Sequence, residues 1–188
     1  MQARRYMPAF LALSSLLFGA ALLSYEHITG GVQSNNLLDR PDLPAISNWY
    51  GLIVLPVLGW LLGVRIRNHL TSSTETGLPI GTWLGLGCSL LYGAALATAC
   101  ELAPFYITSG LLLGMLLLAI VFPVYRIECI FGFVVGMTYT FGGVLPTLVA
   151  VVFAAVSVAA QFIFRTVIPA VRSSNHQVKP NQTFKRTR

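Results

Sequence analysis

Charge is scarce in this chain. Only 10% of its 188 residues are Asp, Glu, Lys or Arg, against roughly a quarter in a soluble globular domain. Hydrophobic residues make up 55%. So little charge cannot coat a water-soluble protein of this length, and a separate soluble catalytic module is excluded. No lysine occurs between residues 7 and 178, so the apolar part offers no amine for a Schiff base. The three cysteines, Cys88, Cys100 and Cys129, are odd in number and form no CxxC pair, which argues against a disulfide framework. HExxH, GxSxG and Walker A sequences are missing, and no histidine pair lies mid-span to hold a haem. The sequence therefore implies no cofactor and no metal centre.

What is present is long apolar sequence with arginine at one end of each run. The twelve Lys and Arg residues collect at Arg4 and Arg5, at Arg65 and Arg67, at Arg126, and from Arg165 onward, with Arg40 alone in the 26–47 loop. Basic residues resist translocation, so the loops that carry them stay cytoplasmic. The pattern predicts an all-α polytopic membrane bundle of about six transmembrane helices over residues 1–170, with both termini cytoplasmic (N-in/C-in), in a bacterial inner membrane. The spans fall at 7–25, 48–64, 78–99 and 105–124, and the stretch 127–168 divides into two at Gly142–Gly143 and Pro146. A five-helix alternative would put the tail outside, against the charge pattern. The first run resembles a signal peptide in its Arg4–Arg5 start, but it is long and no A-x-A site follows, so a retained helix is expected.

The tail 171–188 holds Arg172, Lys179, Lys185, Arg186 and Arg188 and no acid, and is expected to be disordered. Much of the net charge of +6 is juxtamembrane. It suits anionic lipid, at about 1 kcal/mol per basic residue near the surface. Nucleic acid is not an expected partner, because aromatics do not interleave there as a stacking platform requires.

Two polar groups could carry chemistry. Glu26, His27, Asp39, Asp42 and Glu101 fall at or beyond helix ends on the outer side. Carboxylates with an imidazole suit a proton relay or a hard or borderline cation, and the plain alternative is solvated interface residues. The helix ends predict Glu101 within a bridging water, roughly 5–6 Å, of Glu26 or His27. On the inner side lie Arg126 and Glu128. Residues two apart do not face each other on a helix, so Arg126 is expected to snorkel to headgroups, while Glu128 inside the bundle would be a functional candidate. The segment RPDLPAISNWYG reads as a specific motif without an assignable role.

Glycines four apart recur at Gly59/Gly63, Gly81/Gly85, Gly110/Gly114 and Gly132/Gly136. Lipid gives helices no hydrophobic reason to associate, so close backbone approach must supply the attraction; some of these faces could equally serve a homo-oligomer. Three functions follow. First is a small channel or transporter for an ion or small solute with a polar outer mouth. The second is an accessory or assembly subunit of a larger membrane complex. The third is an intramembrane lipid-modifying enzyme using Glu26, His27 or Glu101 as acid or base, so enzymatic activity stays open.

Overall fold

The computed structural model describes residues 2–29, 34–36, 45–72 and 78–176. It contains six α-helices: α1 (Gln2–Thr29), α2 (Gly51–Ser72), α3 (Ile80–Leu102), α4 (Phe105–Val121), α5 (Ile127–Phe141) and α6 (Val144–His176). Between α1 and α2, β1 (Ser34–Asn36) pairs antiparallel with β2 (Ala45–Ser47), Asn35 opposite Ile46, and a single 3-10 turn (Asn48–Tyr50) leads into α2. The described part of the first interhelical loop thus contains a short ladder. Asp39, Asp42 and the tail beyond His176 lie outside the described residues.

Prolines and glycine set the boundaries. Pro79 and Pro104 occupy the positions just before α3 and α4, where a fixed φ near −65° and a missing N–H do no harm. Gly142 ends α5 at φ 68°, ψ −175°, a backbone region essentially restricted to glycine. The chain reverses there, dividing the last apolar stretch at the glycine pair.

Among the described residues, four helices are long and apolar enough to cross a membrane: Arg5–Thr29, Asn48–Ser72, Ile80–Leu102 and Val144–Thr166. Helices α4 and α5 are apolar but shorter, with 17 and 15 residues. At 1.5 Å per residue they extend about 25 and 22 Å, short of a hydrocarbon core of about 30 Å. Large apolar side chains cover the exterior, among them Leu84, Leu91, Leu113 and Phe162, all more than half exposed.

The tight pairs are not all sequence neighbours. Helix α1 packs on α2 as a hairpin, but α3 packs chiefly on α5, with α4 and α5 both resting on α6. Missing side chains explain the choice. A Cβ added at Gly132 or Gly136 of α5 would run into Ser89 and the backbone of Leu90 and Ala94, and one at Gly93 of α3 would lie 2.5 Å from the Phe133 carbonyl oxygen. Gly59 and Gly63 similarly abut Ser15, Leu11 and Pro8 of α1. The other glycine pairs behave differently. Gly85 and Gly114 make ordinary or slightly close contacts, with Cys129 Sγ at 3.4 Å and the Tyr92 hydroxyl at 3.3 Å, and Gly81 and Gly110 meet nothing within 4 Å. The leucine-rich α4 offers no such groove, so it sits against α3 mainly through polar clips: Tyr92 donates to the Leu111 carbonyl, and Thr108 Oγ1 donates to the Ala99 carbonyl at 3.0 Å.

The core follows these contacts. Leu55, Leu58, Leu96, Ala97, Met115, Phe133, Val134, Met137 and Ala150 form one cluster, and Leu62, Ile66 and Leu70 continue it along α2. Ser157, fully buried on α6, donates to the Phe122 carbonyl at 2.9 Å and accepts from the Val124 N–H at 3.2 Å. It clips the α4–α5 connection to α6.

Replacing Gly136 with Ala is expected to lower the thermal midpoint in detergent, at an overpacking cost of about 1–3 kcal/mol. Gly110→Ala should leave it unchanged or raise it, since Ala is favoured over Gly by about 1 kcal/mol in a helix. Equal losses at both positions would show that the packing seam is misplaced.

Candidate functional site

The two ends of the bundle differ in kind. At the end where α1 stops and α2 begins, Glu26 is half-buried and its Oε1 accepts from Asn48 Nδ2 at 2.9 Å. Asn48 is 6% exposed and its side-chain oxygen occupies the place a Cβ on Gly142 would take. Gly51 and Gly143 touch backbone to backbone beside it; a Cβ on Gly143 would lie 3.0 Å from Gly51 Cα. Parts of the RPDLPAISNWYG segment thus have a local role: Asn48 and Gly51 tie the start of α2 to the end of α1 and to the α5–α6 turn. A void of about 10 Å³ lies among Glu26, Asn48, Thr138 and Gly142, room for one water. His27 and Glu101 are exposed and form no hydrogen bond or ion pair among the described residues. Glu26 therefore meets the Asn48 amide at the point where the start of α2 and the α5–α6 turn come into close backbone contact.

The opposite end is open. A cleft of about 620 Å³ lies between the C-terminal half of α2, the start of α3 and the start of α5, and its walls include Arg65, Asn68, Thr82, Tyr125, Arg126 and Glu128. Its centre is Glu128, 2% exposed in the first turn of α5, where the partial positive charge of a helix N-terminus favours an anion. Arg65 Nε and Arg126 Nη2 both donate to Glu128 Oε1 at 3.1 Å. Glu128 Oε2 is buried with no hydrogen-bond partner among the described residues. The arginine side chains remain 54% and 31% exposed, so each keeps donors facing the cleft.

The spacing argument against an Arg126–Glu128 contact fails for a specific reason. Arg126 is not helical: at φ −66°, ψ 135° it is the extended residue preceding α5, so the two-residue rule for helix surfaces does not govern its reach. Arg65 was legible only as a topology marker. A sharper signal was available, because Arg65 follows Leu58 by seven and Leu62 by three, placing it beside the buried stripe of α2. Chemically, the cluster holds two guanidinium groups on one carboxylate, a net positive centre at the edge of an apolar bundle. It suits an anion. No group of three His, Cys, Asp or Glu residues among those described could hold a metal ion.

Two measurements check the two ends. Either Arg65→Gln or Arg126→Gln alone should cost about 1 kcal/mol, because each pair is partly solvated and the other arginine remains. The double variant should cost about 3–5 kcal/mol, since it leaves a buried carboxylate with no cation; a strictly additive double variant in denaturant-based unfolding would refute the shared-carboxylate geometry. At the Glu26 end, Gly142→Ala should be among the most damaging single changes, because it combines backbone strain of about 1–3 kcal/mol with collision against Asn48. A Gly142→Ala protein with wild-type thermal stability would contradict that contact.

Comparison with known protein families, with curated proteins and with solved structures finds no match. What the chain does is read from its own geometry.

Proposed function

We propose that the protein is a six-span membrane protein with both termini cytoplasmic, and that it is a transporter for a small polar or anionic solute, open to the cytoplasmic side and closed to the outside. The observation that carries this reading is the inequality of the two ends: a cleft of about 620 Å³ at the arginine-bearing end and a void of about 10 Å³ at the other. Sidedness follows from charge. Pro8 contacts Gly63 and Arg65 contacts Glu128, so Arg5, Arg65 and Arg126 share one end of the bundle, the cytoplasmic one by the positive-inside rule. The short helices α4 and α5 reach the remaining depth through their flanking residues, including the Ser157-clipped connection. In this reading the solute enters among Arg65 and Arg126, and the Glu26–Asn48–Gly142 contact is the outer gate. An accessory role finds support in Gly81 and Gly110, which are open on the outer surface of the bundle and could seat a neighbouring helix.

Membrane-impermeant maleimide labelling tests it in a chain whose Cys88, Cys100 and Cys129 are replaced by Ala. A cysteine at Gln33 should react only from outside, and cysteines at Asn68 and Pro180 only from inside. A cysteine at Thr138, on the small void, should resist labelling in the cold and react from outside as warming lets the gate open. If Thr138→Cys never reacts from outside while Asn68→Cys reacts from inside, the seal is permanent and the accessory reading replaces transport.

A further inference from the structure

The arginine-lined cleft specifies its ligand more closely than "anion". We infer that it is a binding site for a phosphate ester, with the phosphate held between the guanidinium groups of Arg65 and Arg126. This names a ligand class for the cleft chosen above and rests on that choice. Arg65 spends only Nε on Glu128 and Arg126 only Nη2, and a guanidinium carries five N–H donors. The remaining donors have no other hydrogen-bond partner among the described residues. Because both arginines converge on one oxygen, their spare donors lie on neighbouring sides of one small volume. A tetrahedral phosphate presents several oxygens and can accept from both groups at once. The described cleft walls contain one acid, Glu128, against two arginines, so the balance there favours an added negative charge.

Glu128 supplies the independent sign that the cluster is incomplete. Its Oε2 is buried and unpartnered in a cluster with donors to spare, and buried polar atoms left unmatched are rare and costly. Oε2 is an acceptor, so what it lacks is a donor, such as a hydroxyl on the alcohol portion of the ester, while the spare arginine donors take the phosphate. The walls also describe the rest of the ligand. Leu61, Val64 and Leu78 line the same cleft as the arginines, so its wall offers hydrocarbon as well as charge. The volume falls within the range of roughly 300–1,000 Å³ usual for small-molecule sites, and basic pockets between helices on the cytoplasmic side are where lipid headgroups bind. The phosphate could belong to a phospholipid or to a free water-soluble ester; the contact chemistry is the same.

Native mass spectrometry of the full chain in detergent separates these sources with three probes: short-chain phosphatidylglycerol, glycerol phosphate, and a short-chain diacylglycerol lacking phosphate. Phosphatidylglycerol should bind the wild type saturably and diacylglycerol should not. Arg65→Gln and Arg126→Gln should each weaken binding about tenfold or more, with Arg65→Lys intermediate because it keeps the charge and loses the fork. Neutralising Lys185, Arg186 and Arg188 to Gln should leave binding unchanged, which separates the cleft from the tail. Binding of glycerol phosphate with the same arginine dependence supports the phosphate site and assigns the soluble ester as ligand. The inference is overturned if no phosphate-bearing probe saturates the wild type, if diacylglycerol binds as well, or if both arginine variants bind like wild type. These outcomes leave the labelling asymmetry untouched, so failure of the ligand class and failure of the transport reading can be told apart.

Discussion

The bundle depends on backbone contact between α3 and α5. Among apolar helices in an apolar surrounding, burying more hydrocarbon gains little, and attraction comes from how near two backbones can approach. Gly93, Gly132 and Gly136 remove the side chains that would hold these helices apart. The same seam sets the cleft. Glu128 precedes Gly132 by one turn on the same face of α5, so seating that face against α3 carries Glu128 to the edge of α2, where Arg65 reaches it. The polar centre is thus fixed by small residues that carry no chemistry themselves.

Much of the local architecture was legible in the sequence because it is written in local rules. Glycine at positive φ and proline before a helix act within a few residues, and the break at Gly142–Gly143 and a fourth span starting after Pro104 were read from the sequence, while α3 starts at Ile80, after Pro79, and not at 78. Pairing was less legible. Helix α1 packs on its sequence neighbour α2, but the main partner of α3 is α5 and not the adjacent α4. Four glycine pairs look alike as sequence, yet Gly81 and Gly110 face open space while Gly132 and Gly136 lie in a seam; the spacing of a motif does not say which way its face points. The cleft was harder still, since its defining contact joins Arg65 and Glu128 across 63 residues. Of the outer polar group, Glu26 was legible as interfacial and Asn48 as a polar neighbour, but their pairing depends on where the β1–β2 ladder returns the chain.

The two ends illustrate how one polar residue type is managed in opposite ways. Glu26 Oε1 accepts from the Asn48 amide where backbone of α2 and of the α5–α6 turn meets. Glu128 is met by two cations, which overcompensate it and keep long, partly solvated side chains spread around an opening.

The α3–α5 seam also bears on how the chain comes to be assembled in time. Helices emerge from the ribosome in order, and α1 finds its main partner in the very next helix. Helix α3 does not. Its groove around Leu86, Leu90 and Gly93 must wait through the whole of α4 before α5 arrives to fill it. During that interval the small-residue face of α3 has yet to receive the helix that covers it. The last third of the polypeptide therefore completes the packing of the middle third.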